Sequence, residues 1–432
     1  MNFDRMRALL LEHAIQGKLV PQLDDEPDVE QIGKTREEVP FDIPKKWKWL
    51  PLKVVCKDFL VPMRDKPTFS NNQMDTPWCR IEDIVEGKYL RGSKSARFLS
   101  EKTIQDMNLK VNPVGTVISA CSASIGAAAV VETQCCTNQT FIGLVCDEQH
   151  LFNWYLYFVL KSAKQRLVDI GTGTTIKYIS RKKYEEFLIP VPSLSEQRRI
   201  VAKLEESFAE IDRAEKAYEE LQSLSGVLRG RILQKAIQGK LVPQMAEEGV
   251  VEQIGTAPEE VPFEIPMSWK WVQLNGICTL KSGVDMSPSV LVNEPVVDSI
   301  PYITGGSQIG QSGELLITRW TSKATNISEK GDVLLICKGS GLGRTALNSY
   351  GSVHIARQIM AIRKTKEAIP QYLDLLLKWR WESLRSAAKG VIPGISRKDV
   401  LSLLVPLPPV TEQVRIVAKV DDLLKQVNAL SA

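Results

Sequence analysis

The sequence predicts an α+β fold: two globular α/β domains separated by a long antiparallel helical coiled coil, with internal two-fold pseudo-symmetry from a duplication. Three observations predict it. First, the stretch from Ser195 to about Gln238 reads as one amphipathic helix, apolar at Val201, Leu204, Phe208, Ile211, Ala214, Tyr218, Leu221, Leu224 and Leu228. Steps of three or four residues make a single stripe that wants a partner helix. Second, AIQGKLVPQ at Ala236–Gln244 has already occurred 222 residues earlier at Ala14–Gln22, and EQRRIVAKLEE from Glu196 returns 216 residues later as EQVRIVAKVDD from Glu412. Self-similarity at a fixed offset is a duplication. Third, period-two apolar runs bounded by turn residues fill both interiors, as strands do.

The elements follow in chain order, with boundaries at 1–18, 19–193, 194–240, 241–409 and 410–432. Residues 4–18 form a short helix, apolar at Met6, Leu9, Leu10 and Ile15, that stops at Gly17. By the repeat it matches 226–240, the end of the central helix. Residues 19–46 and 241–268 are Pro-rich acidic connectors with little helix or strand. Trp47/Trp49 and Trp269/Trp271 then open the two domains. Strands are expected over Trp47–Val55, Trp78–Ile81, Thr116–Ala120, Ala128–Val131 and Thr140–Val145. The second set is Trp271–Leu280, Pro301–Thr304, Asp332–Cys337, Arg344–Leu347 and Ile359–Arg363. Helical runs follow at Phe152–Leu167 and Pro370–Ala387. Each domain closes with a Gly-bearing loop, a short helix led by ISRK (Ile179, Ile395), and a Pro-x-Pro exit at Pro190/Pro192 and Pro406/Pro408.

Ser195 caps the central helix, with Glu196 in its first turn where the dipole favours an anion. The helix would be on the order of 60 Å long, and Ser223–Gly226 is its weak point. The C-terminal segment repeats its first part, with Val417, Val420, Leu424, Val427 and Leu430 standing for Val201, Leu204, Phe208, Ile211 and Ala214. These two stripes are expected to pair with each other. The two termini, side by side, would rebuild a second copy of the central helix, joined non-covalently.

Composition excludes several classes. The 432 residues are 44% hydrophobic and 25% charged, with ample length for cores of ordinary globular kind. A net charge of +4 gives no whole-molecule basic field, so any nucleic-acid surface needs local clustering. Eight cysteines include the adjacent Cys135-Cys136 but no CxxC spacing, which argues for reduced thiols in a cytoplasmic protein. No apolar run of about 18 residues predicts a membrane span. The three histidines, His13, His150 and His354, lie far apart and read as structural. There is no [DN]PP[YF] motif and no Walker A loop. Gly339-Ser340-Gly341-Leu342-Gly343 superficially resembles a phosphate loop, but its strand–loop–strand setting reads as a tight turn. The chain is therefore expected to be non-catalytic, with no metal and no cofactor of its own.

Connectors and helices stay nearly identical between the copies while the loops between strands diverge. Two modules thus share a scaffold and present different surfaces. With the KLVPQ segments, the IP-x-x-W-x-W openings, the ISRK loops and the P-x-P exits into EQxxIVxK, the layout resembles the specificity subunit of type I restriction–modification systems. The resemblance spans nearly the whole chain. It implies two target-recognition domains, each reading one half of a bipartite sequence in double-stranded DNA, with the helices as a ruler across the spacer. It implies two methyltransferase subunits docked on the helices, methylating adenine with S-adenosylmethionine. It also implies two restriction/translocase subunits that use ATP and Mg, in a phage-defence system.

Base readout needs directional donors and acceptors on loops, and phosphate contacts need Lys, Arg or free N–H groups. In the first domain the best loop runs through Thr172, Thr174, Thr175, Lys177 and Tyr178 into Arg181 and Lys182. Its counterpart runs from Lys389 into Arg397 and Lys398, and the resemblance places this loop at the DNA. Further candidates are Lys88, Arg91, Lys94 and Arg97 in KYLRGSKSAR, then Ser122, Ser124, Asn138 and Gln139. In the second domain they are Ser307, Gln308, Lys338, Ser340, Arg344, Arg357 and Gln358. Each has a bland reading beside it. KYLRGSKSAR can be a solvated surface, Asn138 and Gln139 can satisfy a local turn, and the ISRK Ile and Ser read as core anchor and helix cap. Trp154, Trp379 and Trp381 read as core. On the central helix, Arg198, Arg199, Lys203, Phe208, Ile211 and Tyr218 are the partner-docking candidates. Two rival functions stand against DNA recognition: a protein-assembly adaptor with two similar heads, and an enzyme using the GSGLG loop.

Overall fold

The glycine that ends the first helix shows how the repeated motifs work. The structure, a computed structural model, describes residues 2–32, 39–62, 67–174, 176–310, 313–339, 341–381, 384 and 394–431. Asn2 caps the helix Phe3–Ile15 by accepting from the Arg5 N–H at 2.9 Å. Gly17 follows in the left-handed region at φ 70°, and a Cβ there would lie 2.3 Å from Pro44 Cγ. Gly239 ends the central helix in the same way, at φ 69° with Pro266 Cγ 2.4 Å from its would-be Cβ. Only glycine permits both the turn and the approach. The GKLVPQ and IP halves of the repeat therefore meet in one contact.

The chain divides into two units, Met1–Ala217 and Tyr218–Ala432, and the boundary falls inside the central helix. The first unit holds the N-terminal helix, the first domain and the head of the central helix. The second holds the tail of the central helix, the second domain and the C-terminal helix Val410–Ser431. Each unit closes an antiparallel helix pair of its own. In the first, Arg7 reaches Asp212 at 2.6 Å while Gln22, beyond the far end of its helix, donates to Glu196. In the second, Arg229 reaches Asn428 at 2.6 Å while Gln244 donates to Glu412 at 2.6 Å.

This corrects the expected pairing of the two equivalent stripes. Val201 and Leu204 join a core with Ala14, Ile15 and Tyr155. Ile416, Val420 and Val427 join another with Ile232, Ala236 and Ile237, the second half of the central helix. The stripes look alike in sequence, so periodicity could not choose between halves. The chosen half enters the core of the same repeat, next to its own domain.

The central helix spans Leu194–Ile237 without a break, so Ser223–Gly226 is continuous helix, with Ser225 buried. Tertiary packing overrides the weak local propensity there. Its cap is Ser193 rather than Ser195: Ser193 Oγ accepts from the Glu196 N–H at 3.2 Å, and Ser195 lies inside the first turn.

The first domain carries a six-stranded sheet in the order Cys56–Leu60, Phe141–Cys146, Val117–Ala120, Ala128–Val131, Tyr89–Leu90, Ile84–Val85. A four-stranded sheet packs Phe98–Leu99, Thr76–Cys79, Cys135–Thr137 and Val111–Asn112. The second domain has a four-stranded sheet of Cys278–Ser282, Ile359–Lys364, Val333–Ile336 and Thr345–Leu347, and a second four-stranded sheet of Trp320–Thr321, Ile300–Ile303, Val353–Ile355 and Ile327–Ser328. In each domain the Trp-x-Trp opening pairs antiparallel with the P-x-P exit, Lys48 opposite Val191 and Lys270 opposite Leu407. The two ends of each domain are thereby stapled at the foot of the helix.

Four expected elements shift. The helical run Pro370–Ala387 is a helix over Pro370–Trp379, and residues 382, 383 and 385–387 lie outside the described residues. The run Trp47–Val55 is a strand only over Lys48–Pro51 and then a helical turn, Leu52–Val55. Trp271–Leu280 divides at Leu274–Gly276 into two strands. The helical run Phe152–Leu167 breaks at Ala163 into Asn153–Ser162 and Lys164–Ile170. Described parts of the connectors hold almost no regular structure, apart from one turn at Ala246–Glu248.

Candidate nucleic-acid interface

In both domains the same backbone contacts hold the turn of the main sheet against the loop before ISRK. Ile179 N–H donates to Cys121 O at 2.8 Å, and Ser122 bridges Tyr178. In the second domain Ile395 N–H donates to Cys337 O at 2.9 Å, and Lys338 bridges Gly394. Ile179 and Ile395 are buried, which fixes the loop from below. Ser180 and Ser396 cap the short helices through the N–H groups of Lys183 and Asp399. The serine and isoleucine of ISRK are thus scaffold, and the basic pair after them is carried outward on the first turn.

At this edge of the first domain, Thr172 exchanges backbone bonds with Tyr178 at 2.9 and 2.8 Å, closing the loop. Thr174, Lys177, Tyr178 and Lys182 are exposed, as is Ser124, while Ser122 is half-buried; Thr175 lies outside the described residues. Lys177 Nζ donates to Val168 O at 3.0 Å, and Arg181 bonds Glu185 at 2.7 Å. Asn138 accepts from Thr140 Oγ1 at 2.6 Å, which makes it a turn residue, whereas Gln139 is exposed and, among the described residues, only its backbone carbonyl accepts, from Cys121 Sγ at 3.5 Å. KYLRGSKSAR is held elsewhere. Arg91 bonds Glu132 at 2.5 Å and Glu86 at 3.3 Å, and Lys88 lies 3.8 Å from Glu205 and over Trp154. Lys94 Nζ reaches Ile84 O at 3.3 Å, and Arg97 stacks on Phe69 with its Nη1 buried. Intramolecular partners therefore compete with any phosphate for these four cations.

In the second domain three loops converge. Arg344 donates to Gly306 O and Ile309 O at 3.3 and 3.4 Å, and Gln358 fits against Gly305, where a Cβ would lie 2.4 Å from its Oε1. Ser307, Lys338, Arg344, Arg357, Arg397 and Lys398 are exposed around them. Arg357 pairs with Asp285 at 2.8 Å. Gln308 does not present its amide: it is buried and bonds Thr304, Tyr302 O and Thr318. It is a loop-shaping residue, a correction to its reading as a contact. Ser340 and Lys389 lie outside the described residues. Gly339–Gly343 links strand Val333–Ile336 to Thr345–Leu347 as a hairpin turn, with glycine φ values of 79°, 88° and 84°.

On the central helix, Arg199 clasps Glu26 at 2.6 and 3.1 Å and Pro21 O at 3.2 Å, so it anchors the connector of its own unit. Ile211 is buried and Phe208 packs 5.9 Å from the Phe158 ring, so both serve the unit's own core. Arg198 lies over Phe152, and Lys203 pairs with Glu206 at 2.7 Å. Tyr218 is half-buried.

No cluster of three metal-ligating side chains occurs among the described residues. His354 is buried, accepting from Thr325 N–H and donating to Val284 O at 2.8 Å. His150 lies 3.1 Å from Asp147. All eight cysteines are buried and unpaired, and burial pushes Cys121 up to about 11 and Cys278 up to about 12, which leaves poor nucleophiles. No described helix is long and apolar enough to cross a membrane. Sequence reading passed over Lys161 and Lys164, which line a groove below the Ser122 turn. The repeat sets Lys164 against Trp381 in helices that share Tyr155/Tyr372, Leu156/Leu373 and Lys161/Lys378.

Comparison with known proteins agrees with this geometry. The family model described as Type I restriction modification DNA specificity domain matches residues 44–223 and 266–432. The chain is 24% identical over 391 residues to the Type I restriction enzyme EcoKI specificity subunit of Escherichia coli (strain K12), spanning 82% of this chain and 77% of that one. It is 22% identical over 409 residues to the putative type I restriction enzyme MjaX specificity subunit of Methanocaldococcus jannaschii, 89% of each. Its fold is similar to a chain solved for the assembly and conformational transition of the type I R-M system, at TM-score 0.67 and 23% identity, covering 91% and 93%. It is also similar to the HsdS subunit from Thermoanaerobacter tengcongensis, at TM-score 0.58 and 22% identity, covering 90% and 92%.

Proposed function

The chain belongs to the type I restriction modification DNA specificity family, and from that premise we propose how it serves a restriction–modification complex. It is the DNA-recognition subunit. Each domain reads one half of a bipartite duplex target, and the helix pairs set the spacer. The helices dock two methyltransferase subunits that methylate adenine with S-adenosylmethionine, and two ATP- and Mg-dependent restriction subunits join them. The chain itself is non-catalytic and acts in the cytoplasm.

One observation carries the reading. The family match falls twice, and between the copies the Trp–Glu and Arg–Glu locks repeat pair by pair, while the loop edge outside the shared Arg-Lys of ISRK carries different side chains. Trp47 to Glu196 returns as Trp269 to Glu412, at 2.9 and 2.8 Å. Ser122, by contrast, becomes Lys338. A fixed frame with exchanged contact residues suits two different half-sites, because base readout depends on which donor or acceptor the loop presents.

The test is a genome-wide adenine-methylation map of the host with the gene intact and deleted, in cells expressing the methyltransferase. Deletion should abolish one gapped, two-part motif. An unchanged map would overturn the reading.

A further inference from the structure

We propose that Lys161 and Lys164 form a phosphate-binding subsite of the first domain, taking the DNA backbone in the groove below the Ser122–Gly126 turn, and that the second domain lacks its counterpart. The inference rests on the DNA-recognition function above.

The groove, about 760 Å³, is lined by residues 123–127 of the turn, Val168, Ile176 and three lysines, with no carboxylate. Lys177 uses its ammonium on Val168 O. Among the described residues, neither Lys161 nor Lys164 has a hydrogen-bond or ion-pair partner. The Lys161 ammonium is half-buried, and that burial, followed by the nearby Lys164 charge, holds its pKa below the usual lysine range. A DNA phosphate against each ammonium would relieve that repulsion. The turn is shaped to admit Lys164: Gly126 has φ 94°, and a Cβ there would sit 2.3 Å from Lys164 Cγ.

The second domain makes the same turn–helix contact with different chemistry. Tyr155 donates to Pro190 O at 2.8 Å and Tyr372 to Pro406 O at 3.1 Å, which fixes the two helices as equivalent. Lys378 then stands for Lys161, but it is neutralised by Asp374 at 2.7 Å, where the first domain has Tyr157. Trp381 stands for Lys164, and its ring closes on Gly343. One domain thus holds two uncompensated cations at this position, and the other holds an ion pair and an indole.

The experiment measures binding of a random-sequence DNA duplex to the full chain across a salt series. Each neutralised phosphate contributes about 0.9 to the slope of log K against log salt, so Lys161→Gln/Lys164→Gln should flatten the slope by about 1.8. Lys161→Arg/Lys164→Arg should keep the wild-type slope, and Lys378→Gln should leave it unchanged. Should the double variant not fold, the exposed Lys164→Gln alone should flatten it by about 0.9. A steep wild-type slope that survives the Gln substitutions, or is lost equally with Arg, overturns the subsite. A wild-type chain without salt-dependent binding overturns the DNA-recognition reading instead.

Discussion

The Arg7 guanidinium donates to the Asp212 carboxylate at 2.6 Å, and the equivalent Arg229 donates to Asn428 at the same distance. The duplication kept the geometry and dropped the charge. The pair ties the start of the N-terminal helix to the middle of the central helix, and with Gln22 on Glu196 at the other end it fixes their antiparallel sense and register. Glu215 also accepts from Arg7 at 2.5 Å, and the two acids raise the arginine pKa beyond its usual range.

Asp212→Asn should therefore convert the first unit's contact into the second unit's with little loss. Asp212 is 66% exposed, and exposed pairs contribute about 0–1 kcal/mol. Urea denaturation should show a change within that range that shrinks further at high salt. Unfolding of the first unit would sink the idea that geometry, not charge, sets the register.

The connector clasps should matter more. Arg199 and Arg415 hold Glu26 and Glu248, whose side chains are each 8% exposed, and both arginines also reach a proline carbonyl, Pro21 and Pro243. Removing the guanidinium leaves each carboxylate without its main partner. Arg199→Ala and Arg415→Ala should each destabilise by about 1–3 kcal/mol, and by similar amounts because the sites are copies. Denaturation midpoints of the two variants check both the size and the equality.

The buried Trp–Glu locks should give the fold a pH dependence. Burial pushes the Glu196 and Glu412 carboxyls above the usual carboxylate range, and the bonds from Trp47 with Gln22, and from Trp269 with Gln244, offset it only in part. A folded pKa above the unfolded one gives stability that is fully present below the unfolded value and is lost as pH rises through the folded value. Glu196→Gln/Glu412→Gln should flatten that window and should not lower the melting temperature at neutral pH, since a glutamine oxygen can still accept from each indole. Melting curves across the carboxylate range read this, and an undiminished slope in the variant would count against it.

How much of this was legible in the sequence depended on whether a residue serves the frame or the surface. Gly17, Trp47 and Glu196 announce themselves because the same residues recur at Gly239, Trp269 and Glu412 for the same buried contacts. Strands such as Phe98–Leu99 and Val111–Asn112 are two residues long, too short for a period-two pattern to register. The cap was misplaced by two because Ser193 and Ser195 are alike in sequence and only the chain path separates them. Gln308 read as a contact because nothing in TGGSQIGQS tells which amide turns inward. Lys161 and Lys164 sit in a largely apolar helical run and resemble any solvated lysines until the turn is folded over them.

The turns should respond differently to one added methyl group. A Cβ at Gly126 would press on the flexible Lys164 stem, at 2.3 Å, whereas one at Gly343 would lie 1.8 Å from the Trp381 ring. Both glycines have positive φ, so each alanine carries a similar backbone strain, on the order of 1 kcal/mol. The difference between the variants isolates the clash. Gly343→Ala should lower the melting temperature clearly more than Gly126→Ala, and equal losses would mean that the indole swings away freely.

The sharpest prediction concerns half-site independence. Arg357 is 72% exposed at the loop edge of the second domain, beside Gln358, and its nearest partner is Asp285 at 2.8 Å. Gln139 stands next to the corresponding strand in the first domain. Arginine and glutamine read guanine and adenine edges through paired hydrogen bonds worth about 1–3 kcal/mol of discrimination each. Arg357→Ala should therefore relax one or more bases in only one half of the methylated motif by about 10- to 100-fold, leaving the other half and the spacer unchanged. Gln139→Ala should relax the other half alone. Because the two substitutions act on separate units, the double variant should show the sum of both changes. Methylation maps from hosts carrying each variant read the halves separately. Relaxation of both halves by one substitution, or of neither by both, would show that base contacts come from other loops.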